Sequence, residues 1–324
     1  MLVGVATRRD ARSLEPVPAP LRRRGTSKRA VSRRFVAKTA AQLTAWQTAA
    51  LAGIDRGGLR IDGVHLGEHG LIVARGIAAD GQTQALGLWD GSPENARVCQ
   101  DLLANLQSRG RRTDRSLLVI LDGSKARRKA VRTGCGEAAL VQRCQVHKTR
   151  NILEYLSEHD RTWAHALLRR AYQATDPKLA QRLLLDLAKR LEHESPRAAE
   201  SVREGLDETL TVLTLKLSPR LRRSRATTNA AESLLSRTRL VKRNVKRWRG
   251  GQRRLRWVAA GGLEAVKGFR RLKGEADRPA LVSALRARDR QLGLGAREED
   301  RQVASSSPEP PLNFNSRQDI PLSA

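Results

Sequence analysis

Residues 117–123 read LLVILDG, an unbroken apolar run that ends in an aspartate and a glycine. A short run of this kind is typical of a strand buried on both faces of a sheet. Three more segments rich in Val, Ile and Leu precede it, separated by glycine-containing turns. They are LRIDGVHL (59–66), GLIVARGIA (70–78) and ALGLW (85–89). The sequence therefore predicts a sheet at the centre of the molecule.

Helical patterns surround these strands. A helix is expected from about Pro93 to Gln107, because proline suits a first helical turn. After LLVILDG, a short basic helix over 124–133 and a strand over 139–146 are expected, and the pattern is then helical as far as residue 217. One stripe of an amphipathic helix contains Val202, Leu206, Leu210, Leu213 and Leu217. The predicted class is an α/β layer with a helical annex.

The two ends differ from this centre. Residues 1–25 contain three prolines and resemble a loose basic arm, whereas residues 26–57 follow a helical pattern that Ser27 can cap. A last helical block is expected over 229–272. Beyond residue 300 the chain is rich in Ser, Pro and Asn, so we expect a disordered C-terminal tail.

Charge gives the first indication of function. The 324 residues include 62 Lys+Arg and 33 Asp+Glu, for a net charge of +29. This excess is concentrated in residues 1–35 and 221–275 and indicates a polyanionic partner, most simply nucleic acid. The alternative is an organism that uses arginine freely on solvated faces. Three cysteines are too few for a disulfide framework, and no apolar run is long enough for a membrane span, so we expect a cytoplasmic protein.

Isolated acids interrupt two of the apolar strands. Asp62 lies inside LRIDGVHL, and Asp122 ends LLVILD. Burying an ionised carboxylate is costly unless a partner compensates, and a divalent metal is a common partner. Two such carboxylates on neighbouring strands can hold one or two Mg²⁺ ions for phosphodiester chemistry. The alternative is that each aspartate caps a turn before its glycine.

Glu232 is the third candidate carboxylate. It lies in ATTNAAESLLSRTR (226–239) and is the one acid in residues 221–260, among thirteen basic residues. A lone carboxylate on a phosphate-binding surface favours a metal ligand. The alternative is that Glu232 only begins a helix, since Asn229 precedes it by three residues as in a capping box.

Four segments together resemble the Mutator-type transposases of bacterial insertion sequences. They are IDGVHLGEH, LDGSKARRKAV, VQRCQVHKTRN and TTNAAES, in this order within 58–272. The resemblance implies an RNase H-like fold with an Asp-Asp-Glu triad, which maps onto Asp62, Asp122 and Glu232. It also implies a long helical insertion before the Glu, two bound Mg²⁺ (or Mn²⁺) ions, and a homo-oligomer on paired DNA ends.

The resemblance implies a division of the chain into five parts. Residues 1–57 would be a basic arm and a helical DNA-binding remnant, 58–158 the first part of the RNase H-like core, and 159–220 the helical insertion. Residues 221–275 would complete the core with basic helices, and 276–324 would be a mostly disordered tail. Because 61 residues precede Asp62, fewer than is usual in the family, we expect a shortened N-terminal region in which TSKRAVSRRF (26–35) is the remnant of a helix-turn-helix.

Several other residues are candidates for DNA contact. The segment RNVKRWRGGQRRLRW (243–257) interleaves tryptophans with basic residues that can neutralise phosphates, although its tryptophans can equally be core anchors. A basic helix follows Asp122 and can bind phosphate beside the metals. The candidates are Lys125, Arg128, Arg247, Trp248, Arg249, Arg253 and Arg254.

The pair Cys144 and His147 has the spacing of two zinc ligands. A structural zinc site needs four ligands, and no second pair stands at finger spacing. The same pair matches the C-x-x-H signature of the resembled family, and its role is left open between packing and proximity to DNA.

The resemblance implies a DNA transposase that is bacterial and associated with the nucleoid. It would cut at the terminal inverted repeats of an element and transfer the freed strand to target double-stranded DNA. A rival interpretation is a truncated, non-catalytic relative that occupies element ends or regulates transposition. A third is an RNase H-like nuclease acting on RNA–DNA hybrids.

Overall fold

The computed structural model describes residues 27–51, 58–66, 69–77, 83–227, 255–259 and 275–294. Within these residues, five strands form one mixed sheet in the order β3-β2-β1-β4-β5. The strands are β1 (Leu59–Leu66), β2 (His69–Ile77), β3 (Thr83–Asp90), β4 (Leu117–Leu121) and β5 (Ala139–Arg143). β1, β2 and β3 are antiparallel neighbours, whereas β4 and β5 continue the sheet from β1 in parallel.

The helices begin where the sequence provides capping groups. Ser27, Asn95 and Ser124 each accept a backbone N–H at the start of a helix. The helices are α1 (Lys28–Thr48), α2 (Ala96–Ser108), α3 (Lys125–Cys135), α4 (Gln145–Glu154), α5 (Glu158–Gln173), α6 (Pro177–Leu191), α7 (Pro196–Arg203), α8 (Leu206–Thr214), α9 (Pro219–Arg225) and α10 (Arg278–Leu292). The predicted strands and the predicted helix before LLVILDG are thereby confirmed.

Helices cover both faces of the sheet, as its apolar strands require. On one face, α2 and α3 pack through Leu102, Leu106 and Val131 against side chains of β1, β2 and β4. On the other face, α1 covers β2 and β3, where the buried Trp46 donates its indole N–H to the carbonyl of Ala85 at 2.6 Å. Helices α8, α9 and α10 cover β4 on this second face.

The helices after α4 have a core of their own. A cluster of buried side chains runs from Ile152 to Leu213 and joins α4 to α8 without a residue from the sheet. The apolar stripe expected to form one helix over 202–217 is divided between α7 and α8. The break falls at Gly205, whose φ of +63° is accessible to glycine at little cost.

Helices form in both terminal parts of the chain. Residues 27–35, within the segment TSKRAVSRRF, provide the N-cap and first turns of one continuous helix, α1. Within residues 276–324, for which a mostly disordered tail is expected, α10 is helical and buries Leu281 and Leu285 in a cluster with residues of β4. The carboxylate of Asp289 on α10 also accepts the backbone N–H of Ser116 at 2.5 Å.

The strand expected over 139–146 is shorter than predicted. It ends at Arg143, because Cys144 already occupies the N-cap position of α4. In the part of the chain described here, no helix combines the length and the apolar character needed to cross a membrane.

Candidate active site

The strand register brings the two predicted aspartates together. Ile61 of β1 lies opposite Leu121 of β4 in the parallel pairing, and both belong to the core beneath α2 and α3. The next residues are Asp62, within β1, and Asp122, directly after the end of β4. Because side chains alternate along a strand, Asp62 is directed away from that core, whereas Asp122 is hydrogen-bonded to Arg127 of α3. Neighbouring strands lie about 4.8 Å apart, so the backbones of the two aspartates are neighbours where β4 ends.

Asp62 is buried in an ion pair. Its Oδ2 accepts from Nη2 of Arg75 at 2.7 Å, with side-chain exposures of 5% and 0%. Arg75 belongs to β2, two residues beyond Val73, which lies opposite Asp62 in the antiparallel register. The other oxygen, Oδ1 of Asp62, is buried and accepts no hydrogen bond from the described residues.

Both carboxylate oxygens of Asp122 accept hydrogen bonds. Arg127 donates Nε–H to Oδ1 at 2.9 Å and Nη2–H to Oδ2 at 2.5 Å. The backbone N–H of Ser124 also approaches Oδ1, at 3.3 Å. This turn between β4 and α3 contains Gly123 with a φ of +102°, a conformation that disfavours other residues. The aspartate-glycine turn thus exists, and the carboxylate within it is engaged by an arginine.

Three buried arginines lie around Asp62. Arg60, Arg75 and Arg225 are each 1% exposed or less, and Arg60 donates to the carbonyl of Ser224 just before the end of α9. Burial lowers the pKa of Arg60 to about 9, and the positive charges of Arg75 and Arg225 add to this effect. The face of the sheet that holds Asp62 is therefore strongly electropositive.

The pair Cys144 and His147 adjoins the two aspartates. The backbone N–H of Cys144 donates to the carbonyl of Leu121 at 2.6 Å, directly before Asp122. A hydrogen bond with Cys144 raises the pKa of His147, burial opposes that shift, and the charges of Asp122 and Asp62 reinforce it. The structure thus places this motif at the aspartate pair, and no cluster of three metal-ligating side chains occurs among the described residues.

Comparison with known proteins identifies the family. A model of the Mutator-family transposases matches residues 2–260. The chain belongs to the Mutator family of transposases. The resemblance drawn from the four motifs is confirmed.

Curated relatives of this Mutator-family chain are transposases of insertion sequences. The chain is similar to the transposase for insertion sequence element IS6120 of Mycolicibacterium smegmatis, with 31% identity over 188 residues, 54% of this chain and 57% of the relative. It is 30% identical over 173 residues to the transposase for ISRM3 of Rhizobium meliloti, 53% of this chain and 42% of that one. It is also 31% identical over 185 residues to a probable insertion-sequence transposase of Corynebacterium diphtheriae, covering 56% and 52%. The chain spans about half the length of these curated relatives.

Glu232 and most of the candidate DNA contacts of this Mutator-family chain lie outside the described residues. These are Arg247, Trp248, Arg249, Arg253 and Arg254. Of the remaining two, Lys125 is exposed on α3, and Arg128 forms an ion pair at 3.4 Å with Glu208 of α8. Arg128 is therefore already engaged by a carboxylate of the helical annex.

Sequence reasoning missed the arginines that hold the two aspartates. Arg75 interrupts the apolar strand GLIVARGIA much as Asp62 interrupts its neighbour, and a buried cation needs a buried anion. A charged residue inside each of two apolar strands was therefore the sequence signal for the ion pair of Asp62 and Arg75. No comparable signal marked Arg127, because it lies in a basic helix among other arginines and lysines.

Proposed function

We propose that this Mutator-family chain is a DNA transposase that cuts at the ends of an insertion sequence and joins the freed strand to target DNA. The observation that carries the proposal is that Asp62 and Asp122 each directly follow a residue of the last parallel pair between β1 and β4, Ile61 and Leu121. The mixed sheet with helices on both faces supports an RNase H-like core of the kind that the family implies.

Glu232 can complete this site because Ala226, six residues before it, contacts the start of α4, which is itself hydrogen-bonded to the end of β4. The backbone N–H of Gln145 donates to the carbonyl of Ala226 at 2.9 Å. Gln145 follows Cys144, whose backbone N–H donates to the carbonyl of Leu121, the residue before Asp122. Six residues span at most about 20 Å when extended and about 9 Å in a helix. An added carboxylate would also balance the positive charge around Asp62.

The donor set suits a hard divalent cation. Mg²⁺ and Mn²⁺ prefer carboxylate oxygens, and the buried Oδ1 of Asp62 accepts no hydrogen bond within the described part of the chain. Asp62, Asp122 and Glu232 would hold the ions. Bound divalent ions activate an attacking water or 3′-hydroxyl and stabilise the leaving oxygen.

The residues of the chain contribute orientation and charge. Arg75, fully buried, holds Asp62 through Oδ2 alone and leaves Oδ1 without a hydrogen bond from the described residues. Lys125, exposed on the first turn of α3, can contact a DNA phosphate next to Asp122. We further propose that the chain acts as a homo-oligomer on paired ends, since cutting and joining two ends requires two sites.

The test is a cleavage and joining assay with purified protein, labelled element ends, target DNA and Mg²⁺ or Mn²⁺. Asp62→Asn, Asp122→Asn and Glu232→Gln should each abolish cut and joined products. Their affinity for DNA should stay unchanged or rise slightly, because a negative charge near phosphates is lost. The matched control is Asp186→Asn, which removes an exposed carboxylate of α6 and should retain activity. Strand transfer by Glu232→Gln would show that this residue only caps a helix.

A second candidate function is supported by a separate observation. Asp62 and Asp122 are both engaged by arginines, as expected of a non-catalytic DNA-binding relative whose carboxylates hold no metal. Such a protein would bind element ends specifically and yield no product with either metal. The same assay, with binding measured in parallel, separates the two functions.

A further inference from the structure

We propose that Arg127 competes with the divalent cation for Asp122, so that metal binding requires Arg127 to release this carboxylate. The inference rests on the proposed metal site and adds a regulatory residue to it. It starts from a difference between the two aspartates. Asp62 keeps Oδ1 free of hydrogen bonds among the described residues, whereas both oxygens of Asp122 accept from one guanidinium group.

The geometry of the Asp122–Arg127 contact makes the competition direct. The planar guanidinium donates to the two oxygens in parallel, at 2.9 and 2.5 Å, and so occupies the side of the carboxylate that would chelate a metal ion through both oxygens. The backbone N–H of Ser124 approaches Oδ1 as well, at 3.3 Å. The side chains of Arg127 and Asp122 are 3% and 18% exposed, so water screens the pair only weakly. A cation and the guanidinium group therefore compete for this carboxylate.

Arg127 is held in place by further contacts. Its Nη1–H donates to the carbonyl of Pro93 at 2.8 Å. A Cβ atom on Gly63, the residue after Asp62, would lie only 2.6 Å from the same Nη1. Glycine at position 63 thus provides the space in which the guanidinium group reaches Asp122. The contact is built by three separate segments of the chain.

A second carboxylate lies within reach for the released arginine. Oε1 of Glu94 is 3.6 Å from Nη2 of Arg127, and Glu94 is 65% exposed. Glu94 also accepts from the hydroxyl of Ser124 at 3.0 Å, which keeps it beside the start of α3. Arg127 can therefore exchange Asp122 for Glu94 when a cation arrives. Arg75 has no comparable part in our proposal, because Asp62 offers its second oxygen without breaking that ion pair.

The test is a Mn²⁺ titration of the full chain without DNA, followed by electron paramagnetic resonance of the free ion. Arg127→Gln should bind Mn²⁺ about tenfold more tightly than the wild type, because a bidentate charged contact no longer has to break. Arg127→Lys keeps a positive charge but cannot bind both oxygens, so it should show part of this gain. Glu94→Gln should bind more weakly than the wild type, since the released arginine loses its alternative partner.

Controls separate the proposal from a structural role and from failure of the site itself. Arg132→Gln removes an exposed arginine of the same helix that pairs with Glu208, and its Mn²⁺ affinity should equal that of the wild type. Thermal melts identify the variants that fold, and Arg127→Lys replaces Arg127→Gln if the latter does not. Equal Mn²⁺ affinity in wild type and a folded Arg127 variant would overturn the competition while leaving the metal site intact. If no variant binds Mn²⁺, and Asp122→Asn behaves like the wild type, the metal site itself is wrong and the competition with it.

Discussion

Charged residues inside the sheet are the unusual feature of this chain at the scale of single residues. A buried ion costs several kcal/mol unless a partner compensates, and Asp62 and Arg75 compensate each other across two strands. Burial, together with the positive charges of Arg75 and Arg225, lowers the pKa of Arg60 to about 9 despite the nearby Asp62. A face of the sheet with several buried arginines favours anions. Its aspartates can attract a cation only through an oxygen that an arginine does not already occupy.

His147 provides a test of how closely the C-x-x-H motif and the aspartates interact. Its raised pKa means that the folded state favours the imidazolium. The resulting stabilisation is complete below the unfolded value near 6.5 and is lost as pH rises through the folded-state pKa. We expect Cys144→Ala to lower the pKa of His147 most and Asp122→Asn to lower it less, following the order of the causes.

The measurement is the pH dependence of the imidazole proton shifts of His147 by nuclear magnetic resonance. Asp186→Asn, an exposed change on α6, serves as the control and should leave the titration of His147 unaltered. An identical titration in wild type and Asp122→Asn would contradict the electrostatic contact between His147 and the aspartate pair.

At the scale of helices and strands, the sequence predicted those elements whose signals are local. Short apolar runs identified all five described strands, and Ser27 identified the start of α1. The break at Gly205 was missed because the apolar stripe continues in phase across it, so periodicity alone does not reveal the turn. Helix α10 was missed because the tail was assessed by its polar end rather than by Leu281 and Leu285.

Less of the candidate site could be predicted from the sequence. Acids that interrupt apolar strands led to the choice of Asp62 and Asp122, and their role stays a prediction, as does that of Glu232. The arginine partner of Asp62 depends on the antiparallel pairing of β1 with β2. The partner of Asp122, five residues further along the chain, depends on the turn into α3. Neither the pairing nor the turn geometry follows from the residue types alone.

The packing of α4 against α7 gives a prediction about the pH dependence of stability. Lys148 of α4 is buried and donates Nζ–H to the carbonyls of Ser201 and Glu204 at the end of α7. Burial lowers the pKa of Lys148 to about 7 from an ordinary value of 10.5. Between these two values the unfolded chain holds more protons than the folded one. The contribution of Lys148 to the free energy of unfolding therefore becomes more favourable as pH rises from 7 toward 10.5.

Urea unfolding at pH 6.5 and pH 9.5 tests this sign. The stability of the wild type relative to Lys148→Met should be greater at the higher pH. Lys189→Met, which removes an exposed ammonium group of α6, is the matched control and should show no such pH dependence relative to the wild type. A difference between wild type and Lys148→Met that stays constant, or that shrinks with pH, would show that the buried amine keeps its proton.

At the scale of the whole molecule, the positive charge and the architecture together indicate which part of the chain can contact the DNA backbone. The net charge of +29 is concentrated in residues 1–35 and 221–275, whereas Asp62 lies within the sheet and Asp122 lies at its junction with α3. The helical annex has its own core, and it contacts α3 through Glu208, which pairs with Arg128 and Arg132. The annex therefore neutralises part of the basic helix beside Asp122. The basic block over 243–256 remains as the main candidate for contact with the DNA backbone.

Salt dependence distinguishes arginines that contact phosphates from arginines that only solvate a surface. Changing Arg247, Arg249, Arg253 and Arg254 to Ala should weaken binding to every duplex sequence alike, because phosphate contacts do not read bases. Each lost contact removes about 0.9 from the slope of log affinity against log salt, so four contacts would remove about 3.6. The control changes four exposed arginines of the helical annex to Ala: Arg169, Arg170, Arg182 and Arg197. It removes the same charge, yet the slope should stay close to that of the wild type, because arginines that release no counterions on binding do not affect it. Equal slopes in the two quadruple variants would mean that net charge alone, rather than a defined surface, attracts DNA to this chain.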